Sequence, residues 1–352
     1  MEYEKNYYDK VVKLADYITS VTEPKMKWMW GEALLGYALD ELDKVNDTTS
    51  YTDFLRKYCD YWVKKDPAVD QSDTAAPGLI TYAMYKRTKN NDYKKLTEKV
   101  LNYIKNEPRL VYDCLNHLGS SGKSKIYPKS VWVDSVMMFS VFTSLYASEN
   151  NDKELIEFAA RQPKQYAEMM FNNKYNLWAH SYWVKTKKAF PRRKIFWGRG
   201  NGWIICAFPM ILENIGLNHP EAPQIIELFR KTSDALLECM NEDYTFNTLL
   251  KHKSYRELSA TALISAGWIH GIRNGYLDEK FKEPAIKAFY ACVNAIEEKE
   301  EGMFFKEISG PTIPLPIFPK LGYKLTPKNA NWSYGLAALM FAAIEYKKYF
   351  NK

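Results

Sequence analysis

Cysteine is scarce in this chain and shows no pairing pattern. Its five residues, Cys59, Cys114, Cys206, Cys239 and Cys292, are odd in number, widely scattered and never form a CxxC, which argues against a disulfide framework and for a reducing compartment. No apolar run among the 352 residues approaches the length needed to span a bilayer, so no membrane insertion is expected. The opening MEYEKNYYDK is polar, with no apolar stretch behind it, and carries no secretory signature. The expected location is the cytoplasm, the alternative being a periplasmic protein whose leader has been removed. GxSxG, HExxH and a GK[ST] phosphate loop are absent, and His117, His180, His219, His252 and His270 lack metal-ligand spacing, so no metal site is expected. The net charge of +7 is spread over separated Lys and Arg residues with no basic arm. It gives nucleic-acid binding no support and suits a polyanionic sugar equally well. Oligomeric state is not legible.

Aromatics are what the chain has in excess: 26 Tyr, 17 Phe and 10 Trp, or 15% of residues, a trait shared by carbohydrate clefts and large helical cores. Apolar spacing of the three-four type recurs throughout while β-branched alternation is nearly absent, so the chain reads as almost all helix. Helices are expected near 4–20, 28–43, 50–64, 73–88, 92–105, 131–147, 152–171, 202–216, 220–240, 257–274, 279–297 and 332–349. The even-numbered ones begin with Trp28 and Trp30, Asp73, Trp132 and Asp134, Trp203, Glu257, and Trp332, whereas the odd-numbered ones begin with ordinary capping residues and carry more charge. This alternation predicts an all-α chain of six helical hairpins in an (α/α)6 barrel, one domain over 1–352. The inner N-termini would gather at one mouth and favour an anionic ligand there. A two-domain helical solenoid competes, but no fixed-period repeat supports it.

Trp197-Gly198-Arg199-Gly200-Asn201-Gly202-Trp203 places two indoles and a guanidinium around three glycines. Glycine lets backbone approach a ligand closely, an indole face suits a sugar ring, and an Arg fork suits a carboxylate. The stretch therefore reads as a binding loop for an acidic sugar, or equally as a buried loop with core tryptophans and a structural ion pair. Asp134 interrupts the apolar Val131–Met138 segment. There it is either a general acid whose pKa burial raises or a capping carboxylate. Asp73 in Ser72–Gly78 carries the same ambiguity, Glu257 can cap its helix or line the mouth, and His180 lies in an aromatic loop.

Three separated motifs, VWVDSVMM, WAHSYW and WGRGNGW, resemble those of the unsaturated glucuronyl and rhamnogalacturonyl hydrolases, glycoside hydrolase families 88 and 105, with the pattern closer to family 105. Trp30-Gly31-Glu32, the Asp73 to Gly78 segment, Tyr127-Pro128, the Glu257 to Ala262 segment and Gly335-Leu336 extend the likeness along nearly the whole chain. The resemblance implies an (α/α)6 barrel that removes a terminal 4,5-unsaturated uronic acid from an oligosaccharide and requires no metal or organic cofactor. It casts Asp134 as general acid and base and Asp73 as helper carboxylate. His180 becomes a substrate contact, Arg199 the uronate clamp with Trp197 and Trp203 beside it, and Met138 a lining residue. Trp30, Trp132 and Lys123 complete the expected substrate-binding set. Lys123 stands where the family usually has a sugar-binding His, and Leu258 where a Thr is common, which leaves the leaving-side specificity open. The substrate is read first as unsaturated galacturonyl-rhamnose from pectin. Unsaturated glucuronyl oligosaccharides and a non-catalytic acidic-sugar-binding barrel are the alternatives.

Overall fold

The computed structural model describes residues 3–23, 26–192 and 194–351. Its main helices are α1 (Lys5–Val21), α2 (Trp30–Asn46), α3 (Thr52–Lys65), α4 (Ser72–Ala75), α5 (Gly78–Thr88), α6 (Asn91–Asn106), α7 (Val141–Asn150) and α8 (Lys153–Met170). They continue as α9 (Gly198–Ile215), α10 (Ala222–Leu237), α11 (Leu258–Arg273), α12 (Lys282–Asn294), α13 (Pro319–Leu325) and α14 (Ser333–Phe350). The inner ring runs α2, α5, α7, α9, α11, α14 and back to α2, each helix packed on the next, so helices near both ends of the chain close the barrel. The remaining long helices form the outer layer: α3 and α6 pack on α5, α8 on α7, α10 on α9, α12 on α11 and α1 on α14.

Sequence pattern explains which helix goes where. The outer α6 buries Tyr93, Leu96, Val100, Leu101 and Ile104 along one stripe and leaves lysines outside, as an amphipathic surface helix does. The inner α11 is buried on all sides from Leu258 to Ile272, because it is enclosed by α9, α12 and α14. All twelve expected helices are present, and the all-α barrel expectation holds. Two inner helices are interrupted at their beginnings. Pro77 divides the 73–88 segment into α4 and α5, since proline cannot donate a helical hydrogen bond. Residues 131–147 start as a strand and pass through a π-helical turn, Val136–Ser140, before α7.

Short strands, which helical periodicity does not register, decorate the mouth. They pair as β1 (Arg109–Val111) with β2 (Cys114–Leu115), β4 (Phe171–Asn172) with β5 (Leu177–Trp178), β8 (Ile296–Lys299) with β9 (Gly302–Phe305), and β10 (Ile308–Ser309) with β11 (Lys328–Asn329). The one three-stranded sheet among the described residues runs β3 (Ser130–Trp132), β6 (Ser181–Trp183), β7 (Lys188–Phe190), antiparallel throughout. Its register sets Trp132 opposite Ser181. The expected tryptophan loop is also different. Helix α9 starts at Gly198 with Trp197 as its N-cap, so the glycines lie inside the helix. A Cβ on Gly198 would sit 2.5 Å from the Asn247 carbonyl oxygen, and one on Gly202 would sit 3.1 Å from the Leu263 Cβ. These glycines permit close helix packing and are not a cradle for a ligand. Asn201, expected to precede the helix, instead accepts from the Trp178 main-chain N–H at 2.9 Å and donates back to the Trp178 carbonyl at 3.1 Å, which fastens β5 to α9.

Candidate active site

A cavity of about 580 Å³ opens at the mouth and is lined by the beginnings of three inner helical segments, with Trp30 and Glu32 from α2, Asp73 from α4, and Ser333 and Tyr334 from α14. Trp132 and Asp134 enter from β3 and the turn after it, and Lys123, Pro311, Thr312 and Trp332 complete the walls. The lining is flat and aromatic with a few convergent ionisable groups, the composition expected of a small-ligand site.

Main-chain hydrogen bonds carry the two carboxylates to this place. The Ser72 N–H donates to the His117 carbonyl, the His117 N–H to the Ser130 carbonyl, and the Val133 N–H to the His180 carbonyl, each at 2.9 Å. The 117 segment thus bridges Asp73 to β3, and the β3–β6 register brings Asp134 beside His180. His180 Nε2 lies 3.2 Å from Asp134 Oδ2, and neither atom has another hydrogen-bond partner among the described residues. His117 Nε2 lies 3.5 Å from Asp73 Oδ1, while its Nδ1 hydrogen-bonds Ser135 Oγ at 2.8 Å. The two imidazoles are held by indoles: His117 stacks on Trp132 at 4.2 Å between ring centroids and His180 on Trp197 at 4.3 Å.

The environments push the proton affinities of the two carboxylates apart. Burial, reinforced by the negative charge of Asp134 and opposed by Lys123, raises Asp73 to about 7. Burial also acts upward on Asp134, but the adjacent His180 and the more distant His117 outweigh it, and the net direction is down. The expectation that burial would raise Asp134 is therefore corrected: a neighbouring imidazole overrides desolvation, and the high-pKa carboxyl is Asp73. Burial lowers His117 to about 4, so that ring is neutral at working pH. Below about pH 7 the pair holds a single proton, resting on Asp73, while Asp134 is ionised; two carboxyls with separated affinities are the usual basis of acid and base roles.

This split gives a pH prediction. A folded-state pKa raised from 3.8 to about 7 means that stability from Asp73 is fully present below about 4 and lost as pH rises through 7. If turnover needs the shared proton, kcat/KM also falls above pH 7. Asp73→Asn, which cannot ionise, should abolish the limb near 7, as measured by kcat/KM against pH; a limb that persists in the variant would assign it to another group.

The other expected site residues divide. Trp30, Trp132 and Lys123 line the cavity. His180 is 1% exposed and stands directly behind Asp134. Met138 is buried in the core within the π turn. Trp203 is buried edge-on against Trp30, and Trp197 is buried behind His180. Arg199 differs most from expectation, being fully buried, with its fork already occupied. Nη1 donates to the Ser309 carbonyl at 2.8 Å and to Ser309 Oγ at 2.6 Å, Nη2 donates to the Gly310 carbonyl at 2.9 Å, and Glu257 Oε1 lies 3.7 Å away. Its guanidinium is sandwiched between the Trp197 and Tyr334 rings, 4.8 and 4.7 Å from their centroids. Arg199 ties the 308–312 segment to α9 and, in this arrangement, presents nothing to the cavity. Glu257 resolves in favour of capping: it accepts from the N–H groups of Ser259, Ala260 and Ser309.

His117, Glu32, Trp332 and Tyr334 line the site without having been singled out as binding residues. His117 left no sequence signal, because it acts through a carboxylate more than forty residues away in the chain. Trp332 was marked by its position at an inner N-terminus, and Glu32 by the family resemblance of the Trp30-Gly31-Glu32 stretch.

Comparison with known proteins agrees with this architecture. The Glycosyl Hydrolase Family 88 profile matches residues 4–350, so the chain belongs to that family and is a glycoside hydrolase. It is 29% identical over 171 residues to an unsaturated 3S-rhamnoglycuronyl hydrolase of Alteromonas sp. (strain LOR), a match that covers 47% of this chain and 41% of that protein, less than half its length. It is 23% identical over 341 residues to unsaturated rhamnogalacturonyl hydrolase YesR of Bacillus subtilis (strain 168), covering 96% of this chain and 95% of that one. Its fold matches the solved structure of a glycoside hydrolase from family 105 of C. acetobutylicum ATCC 824, with a TM-score of 0.84 at 22% identity over 99% of this chain and 100% of that one. No helix among the described residues is long and apolar enough to cross a membrane.

Proposed function

We propose that the enzyme removes a terminal 4,5-unsaturated uronic acid from a small acidic oligosaccharide, with unsaturated galacturonyl-rhamnose as the preferred end group. The observation that carries this reading is the placing of Asp73 and Asp134, whose surroundings push their proton affinities in opposite directions, in one cavity walled by Trp30, Trp132, Trp332 and Tyr334. A conjugated, flattened sugar ring suits such walls. An ordinary glycosidase needs an acid and a separate nucleophile or base, whereas hydration of a vinyl ether needs one proton that is delivered and then recovered.

Entry of an anionic ring displaces water from Asp134 and places negative charge beside it. Both effects raise its proton affinity toward that of Asp73, and the shared proton passes to Asp134. Asp134 then protonates C4, cationic character develops at C5 and the ring oxygen, and water adds at C5 while returning a proton to the carboxylate. The hemiketal so formed opens and releases the rest of the glycan as an alcohol, so one water is consumed and the enzyme is regenerated. With the Arg199 fork engaged by protein groups, the cavity-lining cations Lys27 and Lys123 are the available partners for the substrate carboxylate. No metal or organic cofactor enters this scheme. Five free, buried thiols support a reducing compartment, the cytoplasm.

Loss of ultraviolet absorbance by the conjugated double bond tests the reading. Lyase-generated disaccharides ending in unsaturated galacturonyl-rhamnose are expected to lose absorbance fastest and unsaturated glucuronyl ones more slowly. A reversed order would transfer the preference to glucuronyl substrates, and no loss with any unsaturated uronide would overturn the catalytic reading.

A further inference from the structure

Helix α13 has seven residues and buries one side chain, Tyr323. Its neighbours Phe318, Leu321 and Leu325 are 75%, 52% and 68% exposed, whereas Tyr323 is 1% exposed. A surface helix that keeps its leucines outside and drives a phenol inward is not organised by hydrophobic burial. The phenol reaches the back of the catalytic pair, with Tyr323 Oη 2.8 Å from His180 Nδ1. Its ring lies beside His180 and Trp197, at centroid distances of 5.9 and 6.3 Å. The segment that carries it also supplies Pro311, Thr312 and Pro316 to the cavity wall and is pinned where Tyr127 donates to the Pro314 carbonyl at 2.7 Å.

We propose that Tyr323 is a positioning residue that sets the tautomer of His180, donating its hydroxyl proton to Nδ1 so that the Nε2 proton is directed at Asp134. The geometry leaves this assignment as the consistent one for a neutral ring. Nε2 faces the Asp134 carboxylate at 3.2 Å, and an ionised carboxylate can only accept, so Nε2 must carry the proton. Nδ1 is then a bare acceptor, and Tyr323 Oη is the group in reach that can donate to it. Burial holds the Tyr323 hydroxyl well above its ordinary pKa, which keeps it a donor throughout the working range. The titratable groups facing His180 are thus Asp134 and Tyr323, with His117 acting on the same Asp134 from farther away. Through this contact the 310–331 segment, whose Tyr323 is 143 residues along the chain from His180, governs how strongly Asp134 holds its proton.

The test uses the whole protein with 15N-labelled histidine and Tyr323→Phe, which deletes one oxygen and keeps the ring. His180→Gln identifies the His180 signals among the five histidines. In the unsubstituted protein His180 should show a protonated Nε2 and an unprotonated Nδ1 at neutral pH. Tyr323→Phe should mix or reverse the two tautomers, lower kcat roughly tenfold with KM changed less than about threefold, as expected for one lost buried hydrogen bond, and displace the pH–kcat profile. A protonated Nδ1 in the unsubstituted protein overturns the proposal even if the variant does not fold. So does a variant with reduced stability whose His180 signals and pH profile are unaltered. Only the kinetic arm rests on the uronyl-hydrolase reading. The histidine spectra need no substrate, so failure of that reading and failure of this one are separable.

Discussion

Asp134→Asn is expected to lower turnover of an unsaturated uronyl disaccharide by about 10²–10⁴-fold, the range spanned by one general acid–base group, while ligand binding persists. The substitution is sterically mild. The Asp134 main-chain carbonyl accepts from the Met137 and Met138 N–H groups at 2.9 and 3.1 Å whatever the side chain, so the π turn and β3 are retained. His180 Nε2 loses an anionic partner and keeps a neutral acceptor. Heat of binding and ultraviolet absorbance, measured on the same sample, separate the two effects: binding within a few-fold of the parent with absorbance frozen is the predicted pair. Absorbance loss at the parental rate would remove Asp134 from the chemistry and direct attention to Asp73, the carboxyl that holds the proton in the resting pair.

Arg199→Met is expected to act on the opposite quantity. The side chain is fully buried, and its removal strands the Glu257 carboxylate, also without exposed surface, together with the Ser309 and Gly310 carbonyls. Breaking a buried pair from one side costs about 3–5 kcal/mol, because the surviving charge is left uncompensated. In a chain this long that corresponds to a fall in Tm on the order of 5–10 °C. If the guanidinium is a keystone, KM measured well below the transition should change less than tenfold. If it clamps the substrate carboxylate, KM should instead rise by roughly two orders of magnitude, as for loss of a bidentate charge-assisted contact, with little change in Tm. Arg199→Lys is not a neutral control, since an ammonium cannot reproduce a planar fork held between two rings. Glu257→Gln tests the same pair from the other side and should destabilise without touching kcat.

Much of the barrel was written locally. The three-four apolar spacing marked all twelve long helical segments, and the acids and tryptophans at alternate helix beginnings identified the inner ring and the end where its N-termini converge. Helical periodicity carries this information because each helix states its own buried face within a few turns. The two aspartates were legible for the same reason: each interrupts an apolar or capping context within its own segment. The strands of the mouth were not, being only two to four residues long, and the pairing that matters most for the site, Val131 with Tyr182, joins segments distant in sequence.

The fate of the polar side chains belonged to the tertiary structure. A sequence can say that a Gly-rich, Trp-flanked arginine suits a carboxylate. Whether that arginine is still free depends on Ser309, Gly310 and Glu257, which approach it only when the chain has closed. Likewise the VWVD context argued that burial would raise Asp134, and burial does act in that direction, but the β3–β6 register sets His180 beside it and reverses the result. His117 and Tyr323 entered the site in the same way, through hydrogen bonds between residues distant in sequence. The sequence by itself determined the helices, their inner or outer place and the segments bearing the two carboxylates, because those follow from spacing along one chain. The tertiary structure decided which carboxyl keeps the proton and which cation remains available, because both depend on the distance between groups that only folding brings together.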